Sequence, residues 1–520
     1  MNFLETFLKN YGLALIAILL FGLLVAKNPF SSRNLIANFE PFPDSFYYVT
    51  TPKCWLSGQG WRLCREGRAG IQSATPPLYS IVLLPGFVLY RDARMFYFTN
   101  VLLALLGLGV FYLLVSKLFK QTYIQFFCLV AYVTSYHLYW LPTLAMAENL
   151  LQTIFLLSLW LLLQKYSKKI LFAQVAIALS FVATKYAAAP LAMMSLLIIA
   201  VKFLRKVKIN KLFILVLGLG ILTLAWTFGL LTNSIAIIQN IASGKPNSDF
   251  SSYYFLRNIN FYWNTLLGGN TTFLWDHQAL YPAWLAIAAM LGFGISFLRN
   301  HKKSFILSIL LLLIGQISFM SFFYVADARY ILPVISACLL GLGFFLTNTH
   351  DLYKKINKLS FFYTLILIIS LIVASTFAIR VKSQISLNLR HAETPWWYLS
   401  VLQLNSYFAQ PAQEKPVVVT AISPFLIDYY SNNNYEVLPL SAQQDFRGHK
   451  VAVWGPNDYS DLIALYKHKL EENREVYVIN YGLGHEADKI ASYKRIQDSF
   501  SLELVQSGCY DLCNLYRLHL

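Results

Sequence analysis

The chain has 520 residues, of which 57% are hydrophobic, 16% aromatic and only 13% charged, with a mean hydropathy of +0.52. Soluble domains carry about a quarter charged residues, so this composition excludes an ordinary soluble protein, even though the length would accommodate about three soluble domains. The formal net charge of +17 would suit nucleic acid if it were spread over one surface. Instead it lies in short clusters between apolar runs.

Taken in chain order, the apolar runs predict about eleven membrane-spanning helices, each approaching the roughly 20 residues that cross a hydrocarbon core. They fall near 11–26, 95–116, 121–141, 146–164, 170–184, 187–204, 212–230, 279–298, 304–323, 330–347 and 359–379. The first run has the length of a signal peptide, but no small-x-small cleavage site follows it, so it is read as a span. Leu78–Tyr90 is short for a span and is bounded or broken by Pro76, Pro77 and Pro85, which favours an interfacial position.

The basic clusters occupy alternate loops: Lys117/Lys120, Lys165/Lys168/Lys169, Lys202 to Lys211, Arg299/Lys302/Lys303 and Lys354/Lys355/Lys358. This is the positive-inside pattern, with cytoplasmic loops retaining Lys and Arg. It predicts a multi-pass protein of the cytoplasmic (inner) membrane with its N-terminus inside and its C-terminal part outside. The charge is thus a topology signal, and nucleic acid is not an expected partner. Two outer loops are long, 27–94 and 231–280; their Trp, Tyr and Phe content suits the headgroup zone.

The predicted domains are a transmembrane domain over 1–382 and a soluble extracytoplasmic domain over 383–520. In the latter, Val417–Thr420, Tyr435–Leu438, Lys450–Trp454 and Val476–Ile479 read as short strands, Asp461–Glu472 as a helix and Leu502–Leu518 as a hairpin. Strands alternating with helices predict a small α/β domain with a largely parallel sheet. Cys54, Cys64, Cys509 and Cys513 all fall outside, where disulfides persist, and Cys54–Cys64 and Cys509–Cys513 are the expected pairs. A zinc site built from both pairs is the alternative, and requires them to converge. Cys128 and Cys338 lie inside spans and read as packing residues.

Ionisable groups near a bilayer are expensive, and each one asks for a reason. Those on the outer side are Glu40, Asp44, Glu148, Lys185, Asp276, His277, Asp327 and Arg329. No phosphate-binding Gly loop or HExxH motif accompanies them, so an enzyme here would act at the outer face on a lipid-borne substrate. Asp44, in Glu40-Pro-Phe-Pro-Asp44-Ser-Phe-Tyr47-Tyr48, suits a general base and equally suits a helix N-cap. Glu148 heads a span, where a carboxylate complements the helix dipole. Lys185 ends one, and is read either as snorkelling or as holding a lipid phosphate. Arg329, followed by Tyr330, presents a fork suited to phosphate oxygens; pairing with Asp327 is a further reading, although a spacing of two does not place the two on one helix face.

In this order the segments resemble the GT-C superfamily of membrane glycosyltransferases, in particular the protein O-mannosyltransferase and lipid A aminoarabinose transferase branch. The matching pieces are Pro43-Asp44-Ser45-Phe46-Tyr47-Tyr48, Thr75-Pro-Pro-Leu-Tyr79, a helix opening with Arg94, Glu148 heading a span, Thr184-Lys185 ending one, and Arg329-Tyr330-Ile-Leu-Pro333 opening another. The resemblance covers about residues 1–350. It implies a sugar moved, usually with inversion, from a polyprenyl-phosphate donor to a protein, lipid or glycan acceptor. Asp44 would be the catalytic acid/base residue, Lys185, Arg329 and Tyr330 would bind the donor phosphate, and Glu40, Tyr47, Tyr48, Glu148 and His277 would support them. No cofactor is required by this reading and no metal ligands are assigned; a divalent metal is left open, since a positive side-chain clamp can replace the ion at the phosphate.

Two departures stand out. The mannosyltransferase branch has Asp-Glu in this loop, whereas Asp44 is followed by Ser45. Trp396-Trp397-Tyr398 is similar to the oligosaccharyltransferase WWDYG signature but lacks its Asp, which disfavours transfer to Asn. The rival readings are a transporter or lipid flippase of cell-envelope precursors, and an assembly protein whose tail binds a partner. A transporter would carry polar groups at the midplane of repeated halves, whereas here they gather at one face.

Overall fold

The computed structural model describes residues 2–25, 44–58, 60–65, 68–72, 75–90, 95–165, 167–204, 250–269, 280–358, 396–422, 429–441, 443–446, 449–452, 462–481, 487–508 and 513–520, with scattered residues between 239 and 244, within 360–382 and at 427 and 483. The expected spans at 212–230 and, for the most part, 359–379 lie outside the described residues. The chain forms two compact units, one of Met1–Lys27 with Thr75–Arg390 and the other of Asn28–Ala74 with His391–Leu520.

The first unit is helical. Its helices are α1 (Asn2–Val25), α3 (Pro77–Tyr90), α4 (Met95–Leu118), α5 (Thr122–Val133), α6 (Tyr136–Trp140), α7 (Glu148–Leu162), α8 (Lys168–Thr184), α9 (Ala189–Leu204), α10 (Phe255–Leu266), α11 (Ala283–Leu298), α12 (Lys303–Ser321), α13 (Leu332–Cys338) and α14 (Leu340–Lys355); α2 (Asp44–Leu56) belongs to the second unit. Among the described residues, three segments are long and apolar enough to cross a membrane: α4, α12 and the stretch of α13 and α14 from Leu332 to Lys355. Shorter apolar helices include Gly12–Val25, Pro77–Leu89, Thr122–Val133, Glu148–Leu162, Tyr186–Lys202 and Ala283–Leu298.

Two elements differ from the sequence reading. The span expected over 121–141 ends at Val133, because the Ser135 hydroxyl donates to the Ala131 carbonyl at 2.7 Å and Ser135 turns extended. Local hydroxyl-to-backbone bonds of this kind compete with the helix ladder. The second long loop contains α10, whose polar and apolar residues are divided between its buried and exposed sides. Asn258, Tyr262 and Thr265 are buried, while Leu256 is 79% and Trp263 51% exposed. The helix docks on the end of α12, where the Asn258 amide donates to the Ser321 and Phe323 carbonyls and the Arg257 guanidinium to the Tyr324 carbonyl at 2.8 Å.

In the second unit, β1 (Arg62–Arg65) and β2 (Arg68–Gln72) form an antiparallel hairpin behind α2. The tail begins with α15 (Trp396–Tyr407) and continues through β3 (Val417–Thr420), β4 (Glu436–Pro439), β5 (Gln443–Phe446), β6 (His449–Ala452), α16 (Leu462–Glu471), β7 (Val476–Ile479), α17 (Ala487–Ser499), β8 (Ser501–Gln506) and β9 (Leu515–His519). The main sheet has the order β4-β3-β7-β9-β8. Its two pairings on β3 are parallel and its two on β9 antiparallel, so it is mixed. β5 and β6 form a separate antiparallel hairpin, because strands joined by so short a connection cannot lie parallel.

Side chains alternate across a strand, and this sheet is covered on both faces. Val418, Val437, Tyr477 and Leu515 pack with Val401, Leu404 and Phe408 of α15 and just beyond it. Val417, Val419, Leu438 and Val478 pack with Tyr466 of α16 and Ile496 of α17. Burial on both sides explains why β3 and β7 are almost wholly apolar. Lys53 of α2 sits over the Tyr429 ring at 4.4 Å from its centroid, tying the first loop to the tail within this unit.

α11 and α14 cross where both carry glycine: a Cβ at Gly292 would run into the Gly341 carbonyl, and one at Gly341 into the Ala289 carbonyl. Small residues permit this approach. Gly292→Val is expected to destabilise the protein by about 1–3 kcal/mol through overpacking, read as a lowered midpoint of thermal unfolding in detergent. Gly294→Ala is the matched control, since a Cβ there meets nothing within 4 Å.

Candidate functional site

Among the described residues, the first unit buries four charged side chains, arranged as two ion pairs. Lys185 Nζ meets Glu148 Oε1 at 2.5 Å, with side-chain exposures of 10% and 0%. Arg329 Nε donates to Asp327 Oδ2 at 2.9 Å, both side chains 8% exposed. Moving a charge out of water costs several kcal/mol, and a close counter-charge with good hydrogen bonds offsets it.

Local backbone structure explains each position. Lys185 follows the last residue of α8; its backbone is extended (φ −158°, ψ 128°) and opens a 3₁₀ turn over Tyr186–Ala188. The break aims the side chain inward instead of along the helix toward water, so Lys185 does not snorkel. Glu148 is the first residue of α7, with no side-chain cap at Ala147. Asp327 lies before a 3₁₀ turn over Ala328–Tyr330, and its Oδ1 accepts the Arg329 backbone N–H at 2.9 Å. Because Asp327 is extended, the helix-face rule that separates residues two apart does not apply, and its other oxygen reaches Arg329 Nε.

Tyr330 joins the pairs. Lys185 Nζ lies 5.4 Å and Arg329 Cζ 5.8 Å from its ring centroid, within the range of cation–π attraction. Gln316 of α12 ties the two turns together, its Nε2 donating to the Ala187 carbonyl at 2.9 Å and to the Tyr330 carbonyl at 2.8 Å. Tyr262 of α10 is buried beside Asp327 and Arg329, and burial raises its phenol above the ordinary value, so it stays neutral across physiological pH. Tyr79, from the Thr75-Pro-Pro-Leu-Tyr79 segment, is buried and donates to Asn100 Oδ1 at 2.8 Å.

The site has unused hydrogen-bonding capacity. Among the described residues, Glu148 Oε2, both amide atoms of Asn149, Gln152 Oε1 and Gln316 Oε1 are buried without a partner. Buried polar atoms are paired in the great majority of cases, so the unpartnered Glu148 and Gln316 oxygens are available to a ligand. The four charges cancel, leaving a neutral but strongly polar cluster in apolar surroundings. Such a site can accept an anion by sharing the donors of an ammonium and a guanidinium.

The first unit thus holds Glu148, Lys185, Arg329 and Tyr330 of the residues expected from sequence. Sequence reasoning missed Gln316, whose signal was a lone carboxamide in an apolar span, and Asn149, Gln152 and Tyr262. The second unit carries Asp44, which opens α2, with Tyr47 and Tyr48 in the same helix; the Asp44 side chain lies outside the described residues, as do Glu40 and His277. Cys54 and Cys513 are each disulfide-bonded and Cys128 and Cys338 are free; the Cys64 side chain and Cys509 lie outside the described residues. Among the described residues no three His, Cys, Asp or Glu side chains converge to hold a metal ion.

Comparison with solved structures finds the crystal structure of ArnT from Cupriavidus metallidurans in the apo state, with a TM-score of 0.58, 13% identity and 97% of each chain covered. The same protein bound to undecaprenyl phosphate matches with a TM-score of 0.54 and 12% identity, again over 97% of each chain. In fold, the chain is similar to ArnT. ArnT is a GT-C superfamily protein, so the resemblance read from the sequence holds at the level of the fold and extends over nearly the whole chain. No protein family and no characterised protein matches the sequence itself.

Removing one member of a buried pair leaves the other uncompensated. Glu148→Leu is expected to destabilise the protein by about 3–5 kcal/mol, and the double variant Glu148→Leu/Lys185→Met by clearly less. A double-mutant cycle on thermal unfolding in detergent checks this; additive effects would show that the pair does not couple.

Proposed function

We propose that the protein is a GT-C-type glycosyltransferase of the cytoplasmic membrane, moving a sugar from a polyprenyl-phosphate donor to an acceptor at the outer face. The observation that carries this reading is the likeness, over 97% of both chains, to a fold solved with undecaprenyl phosphate bound. The paired cations at one aromatic ring, Lys185 and Arg329 at Tyr330, support it as the place for the donor phosphate. In this reading the chain crosses the membrane about eleven times, with the loop carrying Asp44 and the tail outside; Cys54 pairs with Cys64 and Cys509 with Cys513.

Asp44 acts as general base. It takes the proton from an acceptor hydroxyl or amine as that group attacks the anomeric carbon, and the carbon–oxygen bond to the lipid phosphate breaks with inversion. The departing phosphate gains negative charge, which the Lys185 ammonium and the Arg329 guanidinium stabilise. Their partners Glu148 and Asp327 hold both groups oriented before the donor arrives, so little reorganisation is needed as charge develops. Because the resident cluster is neutral, it grips the donor phosphate moderately and interacts most strongly when the phosphate carries its full leaving-group charge, as differential binding requires. Glu40, Tyr47, Tyr48 and His277 are assigned supporting roles around the acceptor side.

The test uses membranes containing the protein and labelled polyprenyl-phosphate sugars. Wild type is expected to transfer label, and Asp44→Asn to lose about 10²-fold or more of the rate, the range of a general base. Lys185→Ala and Arg329→Ala are expected to lose transfer as well. Undiminished transfer by Asp44→Asn would remove that residue from its role. Absence of transfer by wild type across a panel of sugars would favour the transporter or flippase reading.

A further inference from the structure

Gln316 is the only carboxamide in α12, a 19-residue helix that is otherwise apolar apart from small serines and its first lysine. A buried polar side chain in such a segment needs a reason. The residue is 1% exposed, and both hydrogens of its amide nitrogen are committed, one to the carbonyl of Ala187 and one to that of Tyr330. Those carbonyls belong to the two 3₁₀ turns that carry the cations: Lys185 opens the first, and Arg329 lies within the second.

Neighbouring packing holds Gln316 at the right level. A Cβ on Gly315 would lie 2.8 Å from Met194 Cγ, so α9 and α12 approach closely one residue before the amide. Lys185 and Arg329 each have their own carboxylate, so Gln316 contributes nothing to charge balance. What it sets is distance. One planar NH₂ group bonded to both turns fixes how far apart they stand, and Tyr330, whose carbonyl it holds, presents the ring against which both cations lie.

We infer that Gln316 is a positioning residue, holding the Tyr186–Ala188 and Ala328–Tyr330 turns at the separation at which Lys185 and Arg329 together meet one phosphate group. This rests on the functional reading above and adds to it the device that sets the geometry of the donor site. Without the amide, each cation keeps its ion pair and the helices keep their packing, but the turns drift independently and the phosphate meets one cation at a time.

The experiment compares full-length wild type, Gln316→Met and Gln316→Asn, each purified as a monodisperse species and reconstituted in nanodiscs. It measures the Kd for undecaprenyl phosphate per folded protein, and the KM for donor and acceptor separately. Gln316→Met, similar in shape but without donors, is expected to raise the undecaprenyl phosphate Kd and the donor KM by about tenfold or more, since displacements near 1 Å are that costly, while leaving the acceptor KM within about twofold. Gln316→Asn, too short to reach both carbonyls, is expected to shift the same two constants in the same direction. A residue that only stabilised the fold would lower the active fraction and leave both constants unchanged, and that result overturns the inference. If Gln316→Met does not yield folded protein, Gln316→Asn decides by the same criterion. Binding lost in Lys185→Ala but retained in both Gln316 variants overturns the inference alone; absence of undecaprenyl phosphate binding by wild type overturns the functional reading and the inference with it.

Discussion

Four charges inside an apolar helical unit are the constraint around which the rest of the site is arranged. A lone charge there would cost several kcal/mol, and Glu148, Lys185, Asp327 and Arg329 are each held within hydrogen-bond reach of an opposite charge. That requirement determines local backbone structure. α8 must break at Lys185 so that its side chain can turn inward, α7 must begin at Glu148, and the chain before Arg329 must be extended so that one carboxylate serves both a backbone N–H and a guanidinium. The interruptions in the helices are therefore part of the site.

Much of this was visible in the amino-acid sequence, but unevenly. Ionisable residues beside apolar runs are conspicuous, so Glu148, Lys185 and Arg329 could be selected one at a time. The pairing of the first two could not. Glu148 and Lys185 are 37 positions apart, and nothing in either segment names the other. The Asp327–Arg329 pair is open to the sequence, and the spacing that argues against it on one helix face is no obstacle because Asp327 is extended. Gln316 was hidden by its surroundings, since hydropathy averages over a window and a single amide in nineteen residues does not alter it. α10 is hard to recognise in sequence because Leu256 and Trp263 are exposed while Asn258 and Thr265 are buried, so no clean apolar stripe marks its inner side.

The tail domain illustrates the opposite case. β3 and β7 are buried on both faces, so their sequences are almost wholly apolar and announce strands. The sheet's mixed character was less legible, because strand direction depends on connection length and on neighbours distant in sequence. Grouping of the first loop with the tail, seen in the Lys53–Tyr429 contact, was likewise beyond a reading that assigned the loop to the membrane part. Asp44 is thus carried by the unit with the α/β sheet, while the paired cations are built into the helical unit.

The most direct measurement is a structure of the protein in a lipid nanodisc with undecaprenyl phosphate, at a resolution that places the headgroup. The account predicts phosphate density in hydrogen-bond contact with both the Lys185 ammonium and the Arg329 guanidinium, beside the Tyr330 ring. A headgroup bound elsewhere, with Lys185 and Arg329 touching only Glu148 and Asp327, would contradict it.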